Sequence, residues 1–287
     1  MPSVMTHALI ARDSAKYFSP NLLEAVKLHP DYYFLGAQGP DVFFFYRPLS
    51  GREGNLGRFL HRSRVYTVFE FFLSCLRGEH CGAEYARLLA YVAGYITHYA
   101  ADTVFHPYLY RYLEKTPKAG MAHQQIENDW DVYFLRTMDG REVERFPFPF
   151  SAKKIIKENT LFNLYARLIE EIGQRSLKKR KFNRALKNFE RYLNFFHKNC
   201  YGTQKRIERA EKFFRITPRL SCLFPRKTPW QEVIDGDFYP DEKNAETLYQ
   251  EAVEKSRHLV QTFTEGLLTG ALPRAGWSKS FLTAEEV

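Results

Sequence analysis

Residues 91–109 read YVAGYITHYAADTVFHPYL, an apolar and aromatic run interrupted at four-residue intervals by His98, Asp102 and His106. On an α-helix a four-residue step advances about 400°, so these three side chains drift only about 40° per step and share one face. Tyr91, Gly94 and Tyr95 occupy the rest of that face, which reads as a helix interior and not a solvated ridge. A chain that contains such a segment must surround it with other elements. Imidazole, carboxylate and imidazole in that setting form either a metal set or a buried polar ladder.

The rest of the chain supplies helices to do the surrounding. Apolar residues recur at three and four residue steps over segments near 6–16, 20–28, 56–77, 82–105, 120–138, 153–174, 180–198, 202–214 and 242–269, and strand alternation is nearly absent. Pro107 is expected to end the 82–105 helix, because the residue before a proline is biased away from the helical region. RFPFPF at 145–150 reads as an extended connector, dividing a helical core at 1–145 from a C-terminal helical extension at 146–287 packed into the same domain. The glycine-rich GREGNLG at 51–57 follows no strand and reads as a loop, not a nucleotide fingerprint.

With 25 Phe, 18 Tyr and 3 Trp among 287 residues, the chain can fill a sizeable core. No window holds about 18 uncharged apolar residues in a row, and the start MPSVMTHALIARDSAK lacks a basic leader with an apolar run, so neither a membrane span nor export is expected. Cys75, Cys81, Cys200 and Cys222 form no CxxC pair and read as free thiols of a reducing compartment, which points to the cytoplasm. The net charge of +9 is uneven. Residues 151–230 carry 21 Lys+Arg against 6 Asp+Glu. There Phe182, Leu186, Phe189, Leu193 and Phe196 mark an amphipathic helix whose outer face is cationic, a solvated face or an attraction to anionic headgroups or phosphate backbones.

Further metal-type residues sit in apolar settings. His123 and Glu127 stand four apart in AHQQIENDWDVYF, a spacing that places two ligands on one helix face. His61 lies at the polar end of an apolar helix, and His7 lies in the first. Asp41 lies in GAQGPDVFFFY, where an unpaired carboxylate would cost several kcal/mol of desolvation. Taken singly, each HxxxE or HxxxD is an ordinary hydrogen-bonded pair. Taken together, two helices with ligand spacing, a third histidine-bearing helix and an acidic turn point to zinc, at more than one position.

In order along the chain, His7, Asp41, His61, His98-xxx-Asp102-xxx-His106 and His123-xxx-Glu127 resemble the zinc-dependent phospholipase C family. The likeness covers about residues 1–135 by motif and the remainder by helical character; GAQGPDVFFF and THYAADTVFHP look closest to a shorter bacterial branch. The resemblance implies an all-α, multi-helix fold with a metal cluster between helices and two or three zinc ions. It implies one zinc at His61, His98 and Asp102 with Asp41 beside it, a second at His106, His123 and Glu127, and a third held by His7 with a bridging Asp102. Asp41 is then the catalytic candidate, orienting the attacking water or taking its proton.

In secreted members of that family a mature N-terminal Trp binds the third zinc. Here the chain begins Met-Pro, so Pro2 is expected to take that place, or the site to be a zinc pair with weak extra occupancy. The expected activity is hydrolysis of a phospholipid or other phosphodiester, with DVFFFYRP at a pocket mouth and residues 151–230 touching an anionic membrane surface. A zinc-dependent nuclease or phosphatase, with nucleic acid along the basic segment, and a non-catalytic protein fastened by metal are the alternatives.

Overall fold

The computed structural model describes residues 4–46, 56–78, 81–115, 122–173, 176–216, 220–236 and 243–287. Pro2, the turn at 79–80 and most of the GREGNLG run lie outside the described residues. The α-helices are Val4–Ser14 (α1), Pro20–Leu28 (α2), Pro30–Gly36 (α3), Leu56–Arg62 (α4), Val65–Gly78 (α5), Gly82–Lys115 (α6), Ala122–Phe134 (α7), Ala152–Glu158 (α8), Thr160–Glu171 (α9), Lys179–His197 (α10), Cys200–Phe213 (α11), Gln231–Asp235 (α12) and Ala245–Thr269 (α13). Among the described residues there is no β-strand, only an isolated bridge between Lys279 and Glu286. The fold is all-α.

Local chemistry sets the helix ends. α2 and α3 start on Pro20 and Pro30, whose missing N–H is no loss in a first turn. Asn244 caps α13, its side-chain oxygen accepting from Thr247 N at 2.8 Å, and Gly270 ends it at φ +86°. Two expected helices are each split. Arg64, at φ +54°, separates α4 from α5, and Asn159, at φ +59°, separates α8 from α9. α3, α12 and the 3-10 turn Gly39–Tyr46 are too short to show a helical period, and sequence reading missed both helices.

The end predicted at residue 105 is wrong: α6 continues through Pro107 to Lys115. The proline removes one backbone hydrogen bond, but Leu109 and Tyr112 beyond it are buried in the core, and that burial outweighs the local preference. α6 is the axis of the molecule. Its residues up to Ala100 belong to one apolar cluster with α2, α3, α5, α9 and α10, while Ala101 to Tyr112 belong to a second with α1, α7 and α13. His98, Asp102 and His106 straddle the seam between the two. Both clusters draw on residues from the N-terminal and C-terminal halves.

Candidate metal centre

At the seam, Asp102 is surrounded by imidazoles. Its Oδ1 lies 3.3 Å from His7 Nε2, and its Oδ2 lies 3.2 Å from His98 Nε2, 3.7 Å from His61 Nε2 and 3.8 Å from His106 Nδ1. Asp41, from the turn after α3, approaches from the other side, with Oδ1 at 3.0 Å from His61 Nε2 and Oδ2 at 4.0 Å from His98 Nε2. α7 supplies a second lobe: Glu127 Oε1 is 3.0 Å from His123 Nε2 and 3.6 Å from His106 Nε2. All eight residues singled out by sequence therefore meet in one place, brought by α1, α4, α6, α7 and the 3-10 turn. Seven are buried; His123, with its side chain 32% exposed, is the edge that reaches solvent.

Small residues make that approach possible. α3 crosses α6 so closely that a Cβ on Gly36 would stand 2.1 Å from the Tyr91 carbonyl oxygen, and one on Gly94 would stand 2.0 Å from that of Tyr33. The chain then turns at Gly39, φ +51°, where a Cβ would fall 2.1 Å from His98 Cδ2. Only glycine fits there, and two residues later Asp41 enters the site. His7 is fixed by the far end of α7, since Asp131 Oδ1 accepts from both Thr6 N and Thr6 Oγ1 at 2.7 Å. That carboxylate answers free N–H groups at the start of α1.

Backbone carbonyls orient the rings. His61 Nδ1 is 2.6 Å from Gly57 O, and His106 Nδ1 is 2.6 Å from Phe281 O. In each case Nδ1–H donates, which leaves Nε2 facing the carboxylates. Phe281 also donates its N–H to His61 O at 3.0 Å and packs its ring on His61 and His98, with centroids at 5.1 and 5.7 Å. Sequence reasoning missed Phe281, Gly39 and Asp131. The first two carry no local signal; Asp131 did, because 123, 127 and 131 continue the same four-residue step.

The donor set fits metal ions. Three groups, His7/His98/Asp102, Asp41/His61/His98 and His106/His123/Glu127, each hold their ligand atoms within 4.8 Å of one another. His98 Nε2 and Asp102 Oδ2 are buried and form no hydrogen bond, although they face each other. Such orphaned polar atoms are costly unless a cation meets them. A void of about 10 Å³, lined by His7, Asp102, His106, Glu127, Thr6 and Trp130, offers room for an ion or a single water.

Electrostatics point the same way. Burial lowers His98, whereas at His7 and His61 burial is outweighed by Asp102 and Asp41, respectively, and both are raised. Burial is likewise overcome at His106, which Asp102 and Glu127 raise to about 9. Asp102, pushed up by burial, is held well below the usual carboxylate range by His98 and His106; Glu127 is also lowered, chiefly by His123 against the effect of burial. The carboxylates thus favour protons on His7, His61 and His106, and a bound metal would compete with them.

Fold and site together define an all-helical protein built around a buried histidine–carboxylate cluster of metal-binding type. The chain belongs to the zinc-dependent phospholipase C family, described as zinc dependent phospholipase C, which matches residues 6–214. No curated protein and no solved structure matches it. Among the described residues no helix is long and apolar enough to cross a membrane.

Proposed function

We propose that this protein hydrolyses the phosphodiester of a phospholipid headgroup at two or three zinc ions held by His7, Asp41, His61, His98, Asp102, His106, His123 and Glu127. The observation that carries the reading is the convergence of these eight residues from five elements on one largely buried cluster, within a chain of this family. Zinc bound there would supply Lewis-acid stabilisation of a phosphodiester's developing charge and an acidified water. The chain's own groups do the rest. Asp102, between His98 and His106, would offset the positive charge of ions held there. Asp41, flanked by His61 and His98, orients the attacking water and holds its proton. Carbonyls of Gly57 and Phe281 keep two imidazoles aimed inward. His123, on the solvent side, marks where substrate enters.

We read residues 1–145 as the metal-binding core and 146–287 as an extension packed with it; the contact of Phe281 with His106 supports the packing of the two as one domain. Free Cys75, Cys81, Cys200 and Cys222 support a cytoplasmic, reducing location. The basic segment favours one second reading, a zinc nuclease of similar core. Zinc-loaded protein is to be given phosphatidylcholine, single-stranded DNA and a water-soluble aryl phosphodiester, each with a chelated control. Release of a phosphorylated headgroup that chelation abolishes is the expected result. Chelator-sensitive cleavage of DNA alone moves the function to a nuclease, and no turnover on any of the three removes the enzyme reading.

A further inference from the structure

The C-terminal end of α11 breaks the rule that helix surfaces keep large apolar groups covered. Phe213 is 81% exposed, Phe214 67%, Ile216 56% and Leu220 58%. These side chains are held out by a built device. Glu211, itself buried, accepts from Leu220 N at 2.9 Å, Ser221 N at 3.3 Å and Ser221 Oγ at 2.6 Å, and its backbone carbonyl accepts from Ile216 N at 2.9 Å. Leu220 and Ser221 are therefore held against the end of α11, and Phe213, Phe214, Ile216 and Leu220 together form an exposed apolar tip beside it. Cations surround it. Lys205, Arg206, Arg209 and Arg215 are exposed and form no ion pair among the described residues, while Lys212 pairs with Glu208 at 2.9 Å. Phe213 lies on the helical stripe of Arg206 and Arg209, so charge and apolar surface face the same way.

We propose that this tip is a bilayer anchor, its apolar residues entering the acyl boundary while the α11 cations meet anionic headgroups. Charge selects this occupant: a second copy would set two cationic rims against each other. Nucleic acid fits less well, because Phe213 and Phe214 stand at 87° to each other and form no flat stacking platform, and their neighbours are aliphatic. The segment after the tip is tied to the metal centre's own helix, for Asn128, next to Glu127, donates to Cys222 O at 2.9 Å, and Arg226 pairs with Asp129. This inference rests on the phospholipid reading for its purpose but is tested by binding alone.

The test is co-sedimentation with phosphatidylcholine vesicles containing phosphatidylglycerol, beside a Phe213→Ser/Phe214→Ser variant, an Arg206→Glu/Arg209→Glu variant and a Phe213→Trp reporter. The parent is expected to bind anionic vesicles in a salt-sensitive way. Each double variant should bind about tenfold or more weakly, and the reporter's emission should shift to the blue and be quenched by brominated lipid. Melting temperature and hydrolysis of a soluble monomeric phosphodiester should stay unchanged. Parent-like vesicle binding by the serine variant overturns the anchor, as does a concentration-dependent dimer that the serine variant abolishes, or retention on single-stranded DNA with none on vesicles. Vesicle binding without hydrolysis of any phosphodiester leaves the anchor standing and removes the activity instead.

Discussion

Asp102 and Asp41 both face His61 and His98, yet their surroundings separate their roles. Asp102 touches four imidazoles, so Asp102→Asn should weaken metal binding by more than the roughly 10 to 100-fold typical of losing an outer partner; a zinc titration of stripped protein with a competing chelator checks this. Asp41 sits at the edge of the set. Asp41→Asn should retain most of the metal and lower turnover by about 10² to 10⁴-fold, the usual worth of a positioned general base. Metal content and turnover falling together would make Asp41 mainly a ligand and not the base, and a lowered melting temperature with full turnover would make it only part of the turn after Pro40. At this scale the clustering was readily legible in the sequence, because candidate ligand residues keep helical spacing whatever surrounds them. What it hid were partners that act through the backbone. The carbonyl of Phe281 has no chemical signature in its side chain, and its pairing with His106 spans 175 positions.

Helices were legible where they are long and amphipathic, as in α10, whose Phe182, Leu186, Phe189, Leu193 and Phe196 are all buried. They were illegible where tertiary contact overrode local preference. Pro107 inside α6 is one case, and the two left-handed residues at 64 and 159 are others. The contact of α3 with α6 is the most demanding element-level feature, since two glycines let one backbone touch the other. Gly94→Ala should therefore force the helices apart and destabilise by about 1–3 kcal/mol, as overpacking does. It should also displace Asp41, so urea unfolding and turnover are expected to respond together. Gly78→Ala serves as the control: a Cβ there meets nothing within 4 Å, and neither quantity should change appreciably.

For the molecule as a whole, stability should depend on acid through a histidine remote from the cluster. His197 is buried, donates Nδ1–H to Leu193 O at 2.8 Å, and is lowered by burial to about 4. The unfolded chain takes up this proton near pH 6.5, so the contribution is fully present above that value and is lost as pH falls through 4. The loss should approach about 3 kcal/mol, following 1.36 kcal/mol per unit. His197→Gln should flatten that part of the pH profile of the urea midpoint, measured from pH 7 to 4. A chelator should separately lower the melting temperature, because the site lies at the seam of the two apolar clusters and metal binding there would stabilise the folded chain.

The contact of Phe281 with the rings of α4 and α6 bears on how the protein comes into being. A ribosome makes His61 and His106 long before Phe281, and domains tend to gather from the N-terminal side as the chain emerges. The helices can assemble early, but neither imidazole has its full set of orienting partners until residue 281 is free to turn back. Completion of the cradle thus waits until residue 281 has been made, and a chain shorter than that holds a cluster whose latch is still missing.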